Sequence, residues 1–313
     1  MTDRRETPRK TKRPSGRTRR PGPGTASRSK ARGQGESQNA WEAGERIAKY
    51  LARAGVASRR EVEAMIARRE VRVDGYVLTS PAFKVTGRED IRVRGDRVTA
   101  PEAVRVWRYH KPSGLITTTQ DPEGRRTIFD ELPKSLPRTI TIGRLDLTTE
   151  GLLLLTNSGE LARALELPQA GFQRQYRARA HGHINQADLD TLKSGVRLED
   201  GTRYTSIDAT LERETGTNNW INVELSEGKN REVRKALEHV GLKVNRLIRT
   251  AYGPFELGDL RPGVVEEIPA PTLIKALSGR VPQACLPQQH TARGAPRSPS
   301  NPPPGSRLHR PKR

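Results

Sequence analysis

The chain has one cysteine, Cys285, in 313 residues. That excludes an internal disulfide framework and any zinc site built from several cysteines. The histidines offer no metal set either: His181 and His183 would share one face of a strand, but no third ligand follows at a standard spacing, so no metal site is expected. No run of eighteen apolar residues is present, and the N-terminus is polar and arginine-rich, without the apolar stretch of a secretory signal. A cytoplasmic protein without membrane attachment is expected. The phosphate-cradling Gly-x-x-x-x-Gly-Lys-Ser/Thr loop and the dinucleotide fingerprint are also missing.

What is there is positive charge, unevenly placed. The first forty residues hold twelve Lys/Arg against three Asp/Glu and residues 281–313 hold six against none, so the two ends carry nine and six of the formal +21. Segments 1–42 and 279–313 are rich in Pro, Gly, Ser and Arg and poor in apolar residues. They bury too little surface to offset chain entropy and are expected to be disordered basic arms. Such arms favour polyanions through counterion release.

Between the arms, residues 43–103 form a first module. Ile47, Ala48, Leu51 and Ala54 lie on one face of a short helix ended by Gly55. Ser58-Arg59-Arg60-Glu61 has the pattern of a capping box opening a second helix, whose apolar stripe is Val62, Met65 and Ile66. Arg46, Lys49, Arg53, Arg59 and Arg60 give the pair a basic face. Val71 to Val77 alternates around Asp74-Gly75, a hairpin signal. Residues 95–104 read as a linker, with Arg94-Gly95-Asp96 as a turn. Residues 46–51, 55–60 and 71–75 together resemble the S4 RNA-binding domain, which implies contact with structured RNA through the helical face, including Arg46, Lys49, Arg53, Ser58, Arg59 and Arg60.

Residues 104–278 read as a second domain. Strand patterns recur at 104–109, 139–142, 152–155, 174–180, 220–225 and 244–248, with short helices at 160–167 and 187–192 and a glycine turn opening a helix near 229–237. Many strands with scattered helices, not regular strand–helix alternation, predict an α+β domain on a mixed, largely antiparallel sheet. Residues 143–151, Gly-Arg-Leu-Asp-Leu-Thr-Thr-Glu-Gly, stand immediately before the Leu-rich strand. Asp146 lies between two leucines beside a rigid element, and a buried carboxylate is costly unless cations or donors hold it. It is either a structural cap of the loop or a carboxylate poised for chemistry.

Gly143-Arg144-Leu145-Asp146, Arg174-Gln175-Tyr176 and the 227–234 segment Glu-Gly-Lys-Asn-Arg-Glu-Val-Arg resemble successive motifs of the RsuA branch of the pseudouridine synthases. Residues 121–133 and 198–201 and the basic C-terminal extension are similar to branch members that act on 23S large-subunit ribosomal RNA. Two positions depart from the pattern, Ser158 where an acidic residue is usual and Arg174 where lysine is common. The resemblance implies isomerisation of a uridine in RNA, with no cofactor. Asp146 would act at the ribose as base or nucleophile, Arg234 would pair with it, and Tyr176 would stack on the uracil. Arg144 would fill the space left by a flipped nucleotide, and Lys229, Asn230 and Arg231 would meet phosphate. The expected partner is ribosomal RNA or a pre-ribosomal particle, and the expected state a monomer. Two rivals remain: a non-catalytic RNA-binding or ribosome-assembly protein, and a glycosidase-like enzyme using Asp146 and Glu150.

Overall fold

The computed structural model describes residues 44–215 and 217–287. Segment 1–42 and the greater part of 279–313, expected as arms, lie outside the described residues.

Helix Ile47–Arg53 buries Ile47, Ala48, Tyr50 and Leu51, and helix Arg59–Ala67 buries Val62, Met65 and Ile66. Each apolar set recurs at helical spacing and faces a shared core. The Ser58 hydroxyl caps the second helix, accepting from the Glu61 N–H at 3.2 Å. The box closes only halfway, because the Glu61 carboxylate accepts from Arg68 at 2.8 Å instead of reaching back. The Val71–Val73 and Tyr76–Val77 hairpin forms, turned through Asp74 and Gly75 at positive φ. A second hairpin, Ile91–Val93 with Asp96–Arg97, completes a four-stranded sheet. Arg94-Gly95-Asp96 is thus a turn inside this module, and the linker starts only after Val98, whose N–H still bonds Ile91 O at 2.8 Å.

A nine-stranded sheet dominates the remainder. Across it run Ile207–Thr215, Asn218–Leu225, Arg174–His181, Lys243–Tyr252, Thr149–Thr156, Val106–Lys111 and Val265–Ile268, with Ile140–Ile142 and Phe255–Glu256 paired off this path. Lys243–Tyr252 lies parallel to Thr149–Thr156, and the other pairings are antiparallel, the expected mixed sheet. At the parallel crossing a Cβ on Gly151 would sit 2.3 Å from the Arg249 carbonyl oxygen, with φ at +101°. Only glycine fits there.

Ser158 opens helix Gly159–Glu166 as its N-cap, its hydroxyl accepting from Leu161 N–H at 3.3 Å. The C-terminal end departs from expectation. Helix Ala270–Leu277 is followed by a single turn, Gln283–Cys285, and Val281, Cys285 and Leu286 are buried in the cluster that holds Leu152, Leu154, Leu161 and Leu165. The first residues of the 279–313 segment are therefore core, not a disordered arm. Three apolar side chains spaced among Pro and Gln carry no periodicity, so composition alone could not reveal them.

Candidate active site

The loop between strands Ile140–Ile142 and Thr149–Thr156 is held on every side. Gly143 N–H donates to the Glu166 carboxylate at 2.7 Å, and the Thr117 hydroxyl donates to Leu145 O at 2.8 Å. Gly114 N–H bonds Leu147 O at 2.8 Å, and Thr149 N–H bonds Asp146 O at 3.0 Å. The Lys111 ammonium, fully buried, donates to the carbonyls of Pro112 (3.0 Å), Leu147 (3.3 Å) and Thr149 (2.9 Å). Burial pushes the Lys111 pKa down to about 8, partly offset by the negative charges of Asp146 and Glu150. Within this frame Leu145 is buried, Asp146 half-buried and Leu147 exposed, so Asp146 faces an opening and not the core.

That opening is a cavity of about 210 Å³ lined by Asp146 and Tyr176. It is smaller than the roughly 300–1,000 Å³ of drug-sized sites, a scale that suits one base. Tyr176 packs between two core clusters. Its strand shifts register between Gln175 and Tyr176, so Tyr176 stands opposite Arg249 on one side and Val223 on the other. Such bulges re-aim side chains. A wider groove that also touches Asp146 carries Arg144, Lys229, Asn230 and Arg231. The fold thus gathers around Asp146 five of the other site residues singled out in sequence. Arg231 takes a left-handed conformation (φ 50°) as N-cap of helix Glu232–His239. The Lys229 ammonium is spent on Arg203 O (2.7 Å) and Glu227 (3.0 Å), leaving Arg144 and Arg231 as the groove's exposed guanidiniums.

Arg234 departs from its expected contact. Its guanidinium is buried and donates to Val244 O (3.1 Å), Thr148 O (3.3 Å) and the Thr148 hydroxyl (3.1 Å), and no ion pair to Asp146 forms. A buried guanidinium is held by whichever acceptors surround it, and here these are Thr148 of the loop and the Val244 carbonyl of strand Lys243–Tyr252. Burial and the neighbouring charge of Arg231 lower the Arg234 pKa, partly offset by the negative charges of Asp146 and Glu238. In the first module, Lys49 pairs with Glu45 and with Glu160 of the large domain, and Arg53 pairs with Glu45. Arg46, Arg59 and Arg60 remain exposed, and the Ser58 side chain serves as a cap.

Glu166, Glu232 and Arg249, which line the cavity, and Lys111, which braces the Asp146 loop, escaped sequence reasoning. Arg249 alone carried a readable signal, standing in the buried alternation Leu247, Arg249, Ala251. Burial pushes the Glu232 pKa up to about 7.

A model of RNA pseudouridylate synthase matches residues 105–239, and a model of the S4 domain matches residues 45–91. Fold and site therefore define an RNA pseudouridine synthase preceded by an S4 domain. Uncharacterized RNA pseudouridine synthases of Rickettsia typhi and Rickettsia felis are 44% and 47% identical over 236 and 226 residues, covering 75% and 72% of this chain and 96% of each relative. Ribosomal large subunit pseudouridine synthase B of Pasteurella multocida is 45% identical over 220 residues, 68% of this chain and 64% of that protein. A crystal structure of pseudouridylate synthase has the same fold at TM-score 0.52 and 22% identity, covering 74% of this chain and 99% of that one. The chain belongs to the RsuA-type RNA pseudouridine synthases.

Proposed function

We propose that this enzyme converts one uridine in a hairpin of 23S large-subunit ribosomal RNA to pseudouridine, acting in the cytoplasm as a monomer and without a cofactor. The large-subunit assignment draws on the similarity to the Pasteurella multocida protein. The observation that carries the reading is the small cavity lined by Asp146 and Tyr176, opening on a groove with Arg144 and Arg231.

In the reaction the N1–C1′ bond breaks, the uracil turns, and C5 bonds to C1′. The C5 proton leaves to solvent and N1 takes one up, so atoms and electrons balance within the substrate. Asp146 acts at the ribose, either removing a proton or attacking C1′, and both routes require the ionised carboxylate. Arg234 supports the Asp146 loop through the carbonyl and hydroxyl of Thr148. Tyr176 stacks on the base, a contact that holds a ring while letting it turn. The target must leave its stack at a cost on the order of a few kcal/mol, and Arg144 occupies the vacated space. Arg231, with Lys229 and Asn230 beside it, meets backbone phosphate, while Arg46, Arg59 and Arg60 extend the contact along the S4 face.

The test is tritium release from RNA labelled at uracil C5, with large- and small-subunit transcripts and with native protein and Asp146→Asn. Release from the large-subunit transcript by native protein alone supports the reading. Binding without release supports a non-catalytic RNA-binding role, and free uracil as product supports a glycosidase.

A further inference from the structure

Two buried side chains of opposite charge line the Asp146 cavity without meeting each other. Arg249 is 2% exposed, donates through Nε to Leu152 O at 2.7 Å, and has an Nη2 with no hydrogen-bond partner. Glu232 is 4% exposed, accepts from Lys229 N–H at 2.9 Å through Oε2, and has an Oε1 with no partner. No ion pair within 4.0 Å joins them or gives either another counter-charge among the described residues. Buried polar atoms are nearly always satisfied, because leaving one unpaired costs about 1–3 kcal/mol. Arg249 Nη2 and Glu232 Oε1, an unpaired donor and an unpaired acceptor on residues lining one cavity, where the Thr149 hydroxyl is also unpartnered, therefore call for a ligand that supplies both halves.

Uracil has that edge: a carbonyl oxygen beside the N3–H. Arg249 stands directly across the strand from Tyr176, so a base stacked on Tyr176 lies next to it. We propose that Arg249 and Glu232 form the base-recognition pair, Arg249 donating to a uracil carbonyl and Glu232 accepting from N3–H. This rests on the pseudouridine synthase reading. In its ionised form Glu232 also rejects cytosine, whose N3 offers a lone pair in place of the N3–H. A site built to hydrogen-bond a substrate N–H rejects analogues lacking it far more strongly than an apolar pocket distinguishes shapes. When the glycosidic bond breaks, the departing base carries negative charge, and Arg249 is placed to stabilise it in a site of low dielectric.

The experiment crosses base analogues with variants. The hairpin is made with the target as C5-tritiated uridine, 3-methyluridine, 2-thiouridine or 4-thiouridine, and single-turnover tritium release is followed for native protein, Glu232→Ala, Glu232→Gln and Arg249→Met. Native protein should slow at least about tenfold on 3-methyluridine and on one of the two thio analogues. Glu232→Ala should be slow on uridine and lose nothing further on 3-methyluridine, whereas Glu232→Gln, whose amide oxygen still accepts, should retain most of the rate. Arg249→Met should be slow on uridine and indifferent to the thio substitution that slows native protein. A native protein that accepts 3-methyluridine at full rate overturns the proposal, as do variant and analogue effects that simply multiply. The first of these needs no variant, so a misfolded Arg249→Met does not blunt the test. Failure of native protein to release tritium from any uridine RNA removes the enzyme reading and this pair with it. Turnover of uridine with indifference to the analogues removes the pair alone.

Discussion

At the scale of single residues, the site is built from charges placed where charges are seldom found. Glu232 makes a clear pH prediction. Its pKa is about 7 in the fold against 4.5 when free, so the native state holds the proton more tightly than the unfolded chain. Its favourable contribution is complete below pH 4.5 and is lost as pH rises through 7. At about 1.4 kcal/mol per unit this amounts to at most about 3 kcal/mol. Urea denaturation of native protein and Glu232→Gln between pH 4.5 and 8 should show the native curve falling relative to the variant, and parallel curves would refute the assignment. Lys111→Met removes a buried cation that satisfies three carbonyls around the Asp146 loop. We expect a stability loss of about 2–4 kcal/mol by urea denaturation, with slower tritium release and unchanged RNA affinity. Asp146 and Tyr176 were legible because their motif context marks them. Lys111, within His-Lys-Pro, reads as an ordinary turn cation, since lysine is almost never fully buried.

At the scale of elements, local rules predicted most of the structure and tertiary pairing supplied the rest. The hairpin at Asp74-Gly75 and the Ser58 helix start were readable from turn and cap chemistry. The hairpin at Arg94-Gly95 has the same Val/Ile-Arg-Val alternation, but a single strand of three residues followed by charged residues resembles a linker until its partner strand is known. The ends of the capping box and of the Arg234 pair differ from expectation for one reason: a side chain takes the partner the fold brings nearest, and sequence spacing does not reveal that partner. Ser58→Ala should cost about 1 kcal/mol by chemical denaturation, the usual worth of an N-cap. The Lys49–Glu160 contact is partly exposed, so a double-mutant cycle on stability should yield no more than about 1 kcal/mol of coupling. A larger value would mean that this contact, and not apolar packing, holds the S4 module against the large domain.

At the scale of the whole molecule, the basic ends have different physical roles. Residues 281–286 are chemically part of the tail yet structurally part of the core, because Val281, Cys285 and Leu286 cover the Leu-rich strand and helix Gly159–Glu166. Burying an aliphatic side chain of this size is worth about 1.5–3 kcal/mol. Truncation after Gly279 should therefore cost at least about 3 kcal/mol, and at roughly 2–4 °C per kcal/mol for a domain of this size the melting temperature should fall by about 6–12 °C. Truncation after Pro287 removes only Pro- and Arg-rich sequence and should leave it unchanged. Deleting residues 1–42 removes eight net positive charges, twelve Lys/Arg against four Asp/Glu, so its effect belongs in the salt dependence of RNA binding. For every phosphate that the shortened chain no longer neutralises, the slope of log K against log salt becomes shallower by about 0.7–0.9. Calorimetry and salt-titrated binding on the three truncations separate the two roles: a melting shift confined to the Gly279 truncation, and a slope change in the N-terminal deletion without a melting shift. Equal melting temperatures for the two C-terminal truncations would mean that the turn Gln283–Cys285 carries no packing energy, and that the core ends with helix Ala270–Leu277.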